Sequence, residues 1–256
     1  MIPKTIHYCW FGRNPKPELA EKCIRSWKKH CSDYEIIEWN EDNFDISAAP
    51  LYVRQAYEAK KWAFVTDYVR LWAMTEFGGI YMDTDVEVLK SLDPFLVHEG
   101  FSGFETETSI PTGIMGCQKG FSLFVEFLRF YDNASFLNPD GTMDTTTNVA
   151  IMTKICLQHG LVPNGTKQNI EGFVLYPKDV FCPVSYEDGK LNKTKNTVTI
   201  HWFAGSWHSD AEKAYREERL AYLKREKFLA PVKKLIITLF GEKCLLRIKS
   251  YIKGQK

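Results

Sequence analysis

The sequence predicts an α/β protein, and three observations support this fold class. Short apolar runs alternate with amphipathic segments along the first half of the chain, as expected for strands that alternate with helices. The composition, 45% hydrophobic and 25% charged, is that of an ordinary globular protein. A length of 256 residues accommodates one large domain, or one domain with an appendage, around a substantial core.

The first half of the chain begins with a buried apolar strand that ends at Gly12, followed by a helix with Cys23 and Trp27 on one face. A long helical pattern follows, and Lys60-Lys61 interrupts it, so we expect two helices. Gly78-Gly79 ends the second of them. The predicted elements are strand 2–11, helix 17–31, strand 34–39, two helices within 52–77, and strand 80–89.

The second half continues with shorter elements. They are predicted as strands 100–105 and 113–117, helices 122–131 and 148–159, strand pieces at 173–176 and Phe181, strand 197–203, and a charged helical region from Ala211. The sequence contains neither G-x-G-x-x-G nor G-x-x-x-x-G-K-[ST]. Dinucleotide-binding and P-loop interpretations are therefore unsupported.

Charge changes sharply near residue 210. Residues 210–256 carry 13 Lys+Arg against 6 Asp+Glu, whereas residues 1–209 carry 20 against 26. We therefore predict a globular domain over 1–210 and a basic amphipathic helical tail over 211–256. Within residues 228–252, apolar and basic residues interleave. That pattern suits either an anionic membrane surface or a helix packed on the domain with its basic face in solvent.

Three further features suggest where the protein resides. The seven cysteines are scattered without a C-x-x-C spacing, which favours reduced thiols. The sequence contains no run of about 18 apolar residues, so we predict no membrane span. The start of the chain lacks the apolar core of a signal peptide. We expect a cytoplasmic protein, with the tail as a candidate for attachment to the inner face of the cell membrane. We expect no nucleic-acid partner.

Two carboxylates, Asp83 and Asp85, end the apolar run that follows Gly78-Gly79. In an extended strand, residues i and i+2 point to the same side, where two acids repel each other and gain little from burial. A divalent cation with oxygen ligands makes such a pair tolerable, and phosphate oxygens commonly fill its open positions. The alternative is a solvated strand end, because a lone D-x-D is common by chance.

Upstream, Asp67 and Arg70 share one face of the preceding helix. One interpretation is a surface ion pair worth about 0–1 kcal/mol. The apolar residues on both sides favour burial against a sheet instead. A buried pair beside the D-x-D indicates a polar pocket, in which the guanidinium can hold a phosphate or a sugar hydroxyl.

Aromatic and imidazole groups mark two further strand ends. Trp10 and Phe11 leave the first strand, and ligands bind at that end of an open α/β sheet, where a flat ring can stack on a base. His201 and Ser206 follow the last strand, and either could complete a metal site begun by Asp85. Core packing is the alternative at both places.

These motifs together resemble the sugar-binding D-x-D region of glycosyltransferase family 32. That family includes capsular and O-antigen polysaccharide transferases and fungal outer-chain mannosyltransferases, and the large glucosylating toxins share its core pattern. The resemblance covers residues 2–12, 64–89 and 201–207. It implies a GT-A-type nucleotide-sugar-binding fold, with a mixed, mostly parallel central sheet flanked by helices.

The resemblance also implies roles for individual residues, and Trp10, with Phe11 beside it, would stack on the base. Asp67 and Arg70 would contact the donor sugar, and Asp83 would contact the ribose, the sugar and, through water, the metal. Asp85 would bind the metal directly. A late metal or diphosphate contact would come from His201 or Ser206, and Trp207 would donate a hydrogen bond to the β-phosphate. The toxins use an acidic residue as the late metal ligand, so this part of the shell departs from them.

The expected activity is that of a retaining glycosyltransferase dependent on Mn²⁺ or Mg²⁺. It would move a hexose from a UDP- or GDP-linked donor to a hydroxyl of a growing surface polysaccharide or lipid-linked saccharide. One alternative is a noncatalytic nucleotide-sugar-binding scaffold. Another is an aspartyl-phosphate-type phosphatase, although Glu87 stands where those enzymes need Thr or Val.

Overall fold

The computed structural model describes residues 1–185, 188–205 and 210–241. The chain divides into two compact units, residues 1–185 with 191–207, and residues 186–190 with 208–256. The predicted boundary after residue 210 stays a prediction. Across the described part of the chain, no helix combines the length and the apolarity needed to cross a membrane.

The first unit alternates strands and helices along the chain. Its strands are β1 (Thr5–Cys9), β2 (Glu35–Trp39), β3 (Gly79–Met82), β4 (Val86–Val88), β5 (Gly100–Gly103), β6 (Ile114–Cys117), β7 (Gln168–Ile170), β8 (Phe173–Tyr176) and β9 (Thr199–His201). Its helices are α1 (Glu18–His30), α2 (Leu51–Glu58), α3 (Trp62–Phe77), α4 (Ser122–Arg129), α5 (Asn148–Gln158) and α6 (Lys178–Phe181). The second unit contains α7 (Asp210–Phe240).

Within the described residues, seven strands form one sheet in the order β2-β1-β3-β6-β5-β8-β7. The pairings β1–β2, β1–β3 and β5–β8 are parallel, and the other three are antiparallel. Consequently β6 and β7 run against the direction that the other five strands share. The predicted mixed, mostly parallel sheet is confirmed. Strands β4 and β9 form a separate antiparallel pair.

Both faces of the sheet are buried, and β3 shows how. Ile80 and Met82 belong to one apolar cluster, together with Trp27 of α1, whereas Tyr81 belongs to the other, together with Val69 of α3. Successive side chains of a strand point to opposite faces. Helices therefore cover the sheet on both sides, as the α/β prediction requires.

Two predicted elements differ from the structure. The strand expected over 80–89 ends at Met82 because the chain turns there: the Val86 N–H donates to the Asp83 carbonyl over 3.0 Å. Phe181, expected in a strand piece, lies in the short helix α6, where the Cys182 N–H donates to the Lys178 carbonyl. The predicted helix break is confirmed, since Lys60 adopts a φ of 55° between α2 and α3.

Candidate active site at the carboxyl edge of the sheet

The sheet brings distant parts of the sequence to one edge. Strands β1, β3 and β5 run in the same direction, so Trp10, Asp83 and Glu105 all follow strands at their carboxyl ends. The β4–β9 pair adds His201, which lies opposite Val86. This edge is where open α/β sheets bind ligands.

The D-x-D motif forms a turn, not an extended strand, and this changes how its acids converge. The Asp83 N–H donates to the Gly113 carbonyl over 2.8 Å. Asp85 Oδ2 accepts from the Ala204 N–H over 2.7 Å, and Asp85 Oδ1 lies 3.3 Å from His201 Nε2. The predicted convergence of Asp83 and Asp85 therefore comes from the turn and from the β4–β9 pair.

Three side chains of this turn region make a candidate metal centre. One potential ligand atom from each of Asp83, Asp85 and His201 lies within 4.8 Å of the others. Two carboxylates and one imidazole suit a divalent cation such as Mn²⁺. The donor set therefore fits the predicted ion, and it draws His201 from a position 116 residues beyond Asp85.

The charges of Asp85 and His201 depend on each other. Burial favours the neutral acid, yet the neighbouring His201 outweighs it and holds the pKa of Asp85 below its usual range. Burial likewise disfavours the imidazolium, and Asp85 outweighs it and raises the pKa of His201 well above the usual value. The pair therefore favours a carboxylate beside an imidazolium, and a cation that takes His201 as a ligand would displace the proton from that ring.

His201 is closely enclosed. Its ring lies 4.1 Å from that of Phe203, and its buried Nδ1 has no oxygen or nitrogen partner among the described residues. A Cβ at Gly113 would approach His201 Nδ1 to 2.7 Å. Only glycine fits at position 113, so the β5–β6 connection holds the imidazole toward Asp85.

Arg70 links the acid turn to α3. Its Nη2 lies 3.4 Å from Asp67 Oδ1, and its Nη1 lies 3.3 Å from Asp83 Oδ1. The same Nη1 donates to the Thr112 carbonyl over 3.0 Å, and the guanidinium stands 4.7 Å from the centre of the Tyr81 ring. Because Arg70 and Asp67 are buried, the surface ion-pair interpretation does not apply.

Asp67 is held from a second side by α5. Asn148 donates from its Nδ2 to the Asp67 carbonyl over 2.8 Å and from its N–H to Oδ2 over 3.4 Å. Tyr131 orients this amide, since its hydroxyl donates to Asn148 Oδ1 over 2.7 Å. Burial raises the pKa of Asp67 to about 6, although Arg70 opposes the change.

The aromatic pair after β1 divides into two environments. Phe11 is buried and packs edge-on against Phe44, so its ring belongs to the core. Trp10 is partly exposed, and its indole N–H donates to the Asn14 carbonyl over 2.6 Å. Trp10 is therefore the more accessible ring of the two, and the Lys16 ammonium lies 5.7 Å from its centre.

Two predicted site residues, Ser206 and Trp207, lie outside the described residues, and their roles stay predictions. Sequence reasoning did not include Tyr81, Gly113 or the Ala204 N–H in the site. Ala204 acts through its backbone N–H, and Gly113 acts through its small volume. Tyr81 acts through its hydroxyl, which donates to Asp83 Oδ1 over 2.9 Å. A D-x-D motif gives no signal for such contacts.

The fold and the acid turn define an α/β protein with a D-x-D site at the carboxyl edge of its sheet. Residues 17–102 match the model of a family described as a glycosyltransferase sugar-binding region containing a DXD motif. The resemblance predicted from the sequence is thereby confirmed over residues 17–102. The GT-A-type fold predicted from the resemblance agrees with the mixed sheet and its acid turn.

The chain also shows similarity to individual proteins. Over 136 residues the chain is 29% identical to inositol phosphoceramide mannosyltransferase 3 of Schizosaccharomyces pombe. The matched region covers 50% of this chain and 36% of that protein. The chain thus matches about a third of the relative's length. PaToxG glycosyltransferase gives a TM-score of 0.48 at 18% identity, over 61% of this chain and 69% of that one. The glycosyltransferase GlyE of Streptococcus pneumoniae TIGR4 gives 0.48 at 10%, over 91% and 64%.

Proposed function

We propose that this protein is a metal-dependent, retaining hexosyltransferase that uses a UDP- or GDP-linked sugar. The observation that supports this most directly is the convergence of Asp83, Asp85 and His201 within 4.8 Å, next to the buried Arg70. A Mn²⁺ or Mg²⁺ ion held there would supply positive charge against the departing diphosphate.

The side chains around the proposed ion have separate tasks. Arg70 is fixed by Asp67, Asp83 and the Thr112 carbonyl, so its guanidinium is preorganised to bind the donor sugar or its phosphate. Trp10 offers its indole to the base. Asp67, with its remaining lone pairs, can accept from a sugar hydroxyl.

The donor and acceptor classes follow from the expected family and one relative. One relative carries the name inositol phosphoceramide mannosyltransferase 3. GDP-mannose is therefore the first donor to test. The same name refers to inositol phosphoceramide. We propose that the acceptor here is likewise a saccharide or polar headgroup carried by a lipid or a growing polysaccharide.

Hydrolysis of the donor without an acceptor tests this function. We expect UDP-glucose, UDP-galactose or GDP-mannose to lose its sugar slowly in the presence of Mn²⁺, and not in the presence of EDTA. A protein that binds the nucleotide with Mn²⁺ but consumes no donor would be the noncatalytic scaffold. Phosphate release from p-nitrophenyl phosphate would instead support a phosphatase.

The proposed location of the protein in the cell depends on the properties of the tail. Helix α7 exposes large apolar side chains, with Phe228 80%, Leu239 61% and Val232 51% exposed, and the chain from residue 228 onward is rich in lysine and arginine. Such a face suits an anionic lipid surface. We infer peripheral attachment of a cytoplasmic enzyme to the inner face of the membrane.

Vesicle binding tests the attachment. The full chain should float with vesicles that contain phosphatidylserine and not with purely phosphatidylcholine vesicles, and 0.5 M salt should weaken the binding, because exposed charges are screened. Floating of a chain shortened by residues 228–256 to the same extent would contradict this role. Equal floating with both vesicle types would do so as well.

A further inference from the structure

Glu105 occupies a position in the sheet that is comparable to that of Asp83. Strand β6 pairs with β3 on one side, where Met82 lies opposite Ile114, and with β5 on the other, where Phe101 lies opposite Gly116. Continuing this register toward the site brings Phe104 to the level of Gly113 and Asp83. Glu105 therefore emerges next to the same edge, two strands and about 10 Å from the acid turn.

The order of strands decides what Glu105 faces. Trp10 follows β1, the acid turn follows β3, and Glu105 follows β5, which lies beyond β6 on the far side of β3 from β1. A donor with its base at Trp10 and its diphosphate at the acid turn would extend its sugar toward β6 and β5. Glu105 is then on the side from which an acceptor must approach.

The Glu105 carboxylate lacks the contacts that usually accompany burial. The residue is partly buried, yet among the described residues no hydrogen bond or ion pair reaches its carboxylate. The charged groups that act on it are His201 of β9, Lys178 of α6 and Asp83. Burial raises its pKa, and His201 and Lys178 oppose this change. A carboxylate that receives no hydrogen bond from the described part of the chain, at an edge that binds ligands, is available to a substrate.

Hydrogen bonds within the loop after Glu105 fix the start of that loop. The Glu105 N–H donates to the Ser109 carbonyl over 2.9 Å, and Thr106 Oγ1 accepts from the N–H groups of Thr108 and Ser109, each over 3.1 Å. The connection then continues to Thr112 and Gly113, which hold Arg70 and His201. Glu105 is therefore positioned by the same loop that shapes the metal and sugar contacts.

We infer that Glu105 is a catalytic residue that binds the attacking hydroxyl of the acceptor and receives its proton. This inference rests on the proposed function. In the step, the acceptor oxygen forms a bond to C1 of the donor sugar on the face from which the diphosphate oxygen departs, so that the configuration is retained, while the bond from C1 to that oxygen breaks. The hydroxyl proton passes to the Glu105 carboxylate, and the nucleoside diphosphate leaves with the bonding electrons.

Water can take the place of the acceptor, so donor hydrolysis tests the inference without knowledge of the natural acceptor. The variant is Glu105→Gln, and Glu107→Gln is its matched control on the same loop, where Glu107 is exposed. We expect Glu105→Gln to lower kcat for Mn²⁺-dependent hydrolysis about 100-fold or more, the usual contribution of a general base. Glu107→Gln should stay within twofold of the parent.

Two further measurements separate a chemical role from a structural one. Binding of Mn²⁺ with UDP or GDP, measured by calorimetry, should differ less than threefold between Glu105→Gln and the parent. Formate should restore hydrolysis to Glu105→Ala, because it supplies the missing carboxylate. Formate should not affect the parent.

The outcomes are distinct. Hydrolysis by Glu105→Gln within threefold of the parent would overturn the inference. So would loss of Mn²⁺-nucleotide binding in that variant, since Glu105 would then hold the donor and not the hydroxyl. If the parent neither binds Mn²⁺ with a nucleotide nor hydrolyses a donor, the proposed function itself fails, and this inference fails with it.

Discussion

Replacing Asp85 by Asn is the most informative change at the acid turn. Asp85 Oδ1 lies 3.3 Å from His201 Nε2, and its Oδ2 accepts from the Ala204 N–H over 2.7 Å. Asparagine has almost the same shape and keeps an oxygen for the Ala204 N–H. The substitution removes the negative charge of Asp85. That charge attracts the cation and also favours a proton on His201.

The expected effects differ greatly between binding and stability. Losing a direct ligand removes most of the several kcal/mol that a cation contributes at the departing diphosphate. A loss of about 4 kcal/mol corresponds to a fall in rate of roughly 10³-fold. In the metal-free protein, His201 becomes neutral without Asp85, so no buried charge is left unpaired. The unfolding temperature should therefore move by no more than about 4 °C.

The assay is Mn²⁺-dependent donor hydrolysis, followed with Mn²⁺ titration and thermal unfolding of the same preparations. Asp33→Asn is the matched control, because Asp33 pairs with Lys4 before the start of β1, away from the carboxyl edge. Its surface pair contributes about 0–1 kcal/mol, so its hydrolysis should equal that of the parent. Turnover by Asp85→Asn at the parent's rate would refute the assignment of Asp85 as a metal ligand.

Three further changes test separate parts of the account. Arg70→Lys should lower kcat/KM for hydrolysis about 10- to 100-fold, since lysine cannot reach two acids and the Thr112 carbonyl with a planar fork; steady-state kinetics measures this, and an unchanged value would contradict it. Gly113→Ala should weaken Mn²⁺ binding by displacing His201, which calorimetry detects against Glu107→Gln, a change at an exposed position. His7 is buried, which lowers its pKa to about 4 although the Gly78 carbonyl opposes this. The folded state therefore binds fewer protons there than the unfolded state, whose pKa is about 6.5. Stability should decline as pH falls from 6.5 to 4, by about 3 kcal/mol in total; urea unfolding should show a shallower decline for His7→Gln, and an equal decline would sink the explanation.

The sequence predicted which side chains lie together at the candidate site better than it predicted the local shape of the backbone there. Asp67 and Arg70 were placed on one helical face, and Asp83, Asp85 and His201 were named as candidate ligands; the structure brings the last three together. Residue type and short spacing suffice for such inferences. Two aspartates two residues apart converge in a turn as well as in a strand. The prediction that Asp83 and Asp85 lie close together was therefore correct although the predicted strand boundary was wrong.

What the sequence did not predict depends on contacts between distant segments. The single strand expected over 80–89 is divided because β3 joins the main sheet whereas β4 pairs with β9, more than 100 residues further along. Gly113 owes its role to the approach of His201. Asn148 owes its role to Asp67, 81 residues earlier. No local pattern contains these pairings.

Diffraction from crystals grown with Mn²⁺ and UDP or GDP, collected near the manganese absorption edge, tests the central claim directly. The account predicts one anomalous peak among the side chains of Asp83, Asp85 and His201, with the nucleotide diphosphate beside it and the base at Trp10. A nucleotide bound elsewhere, or no manganese peak among these three side chains, would contradict it.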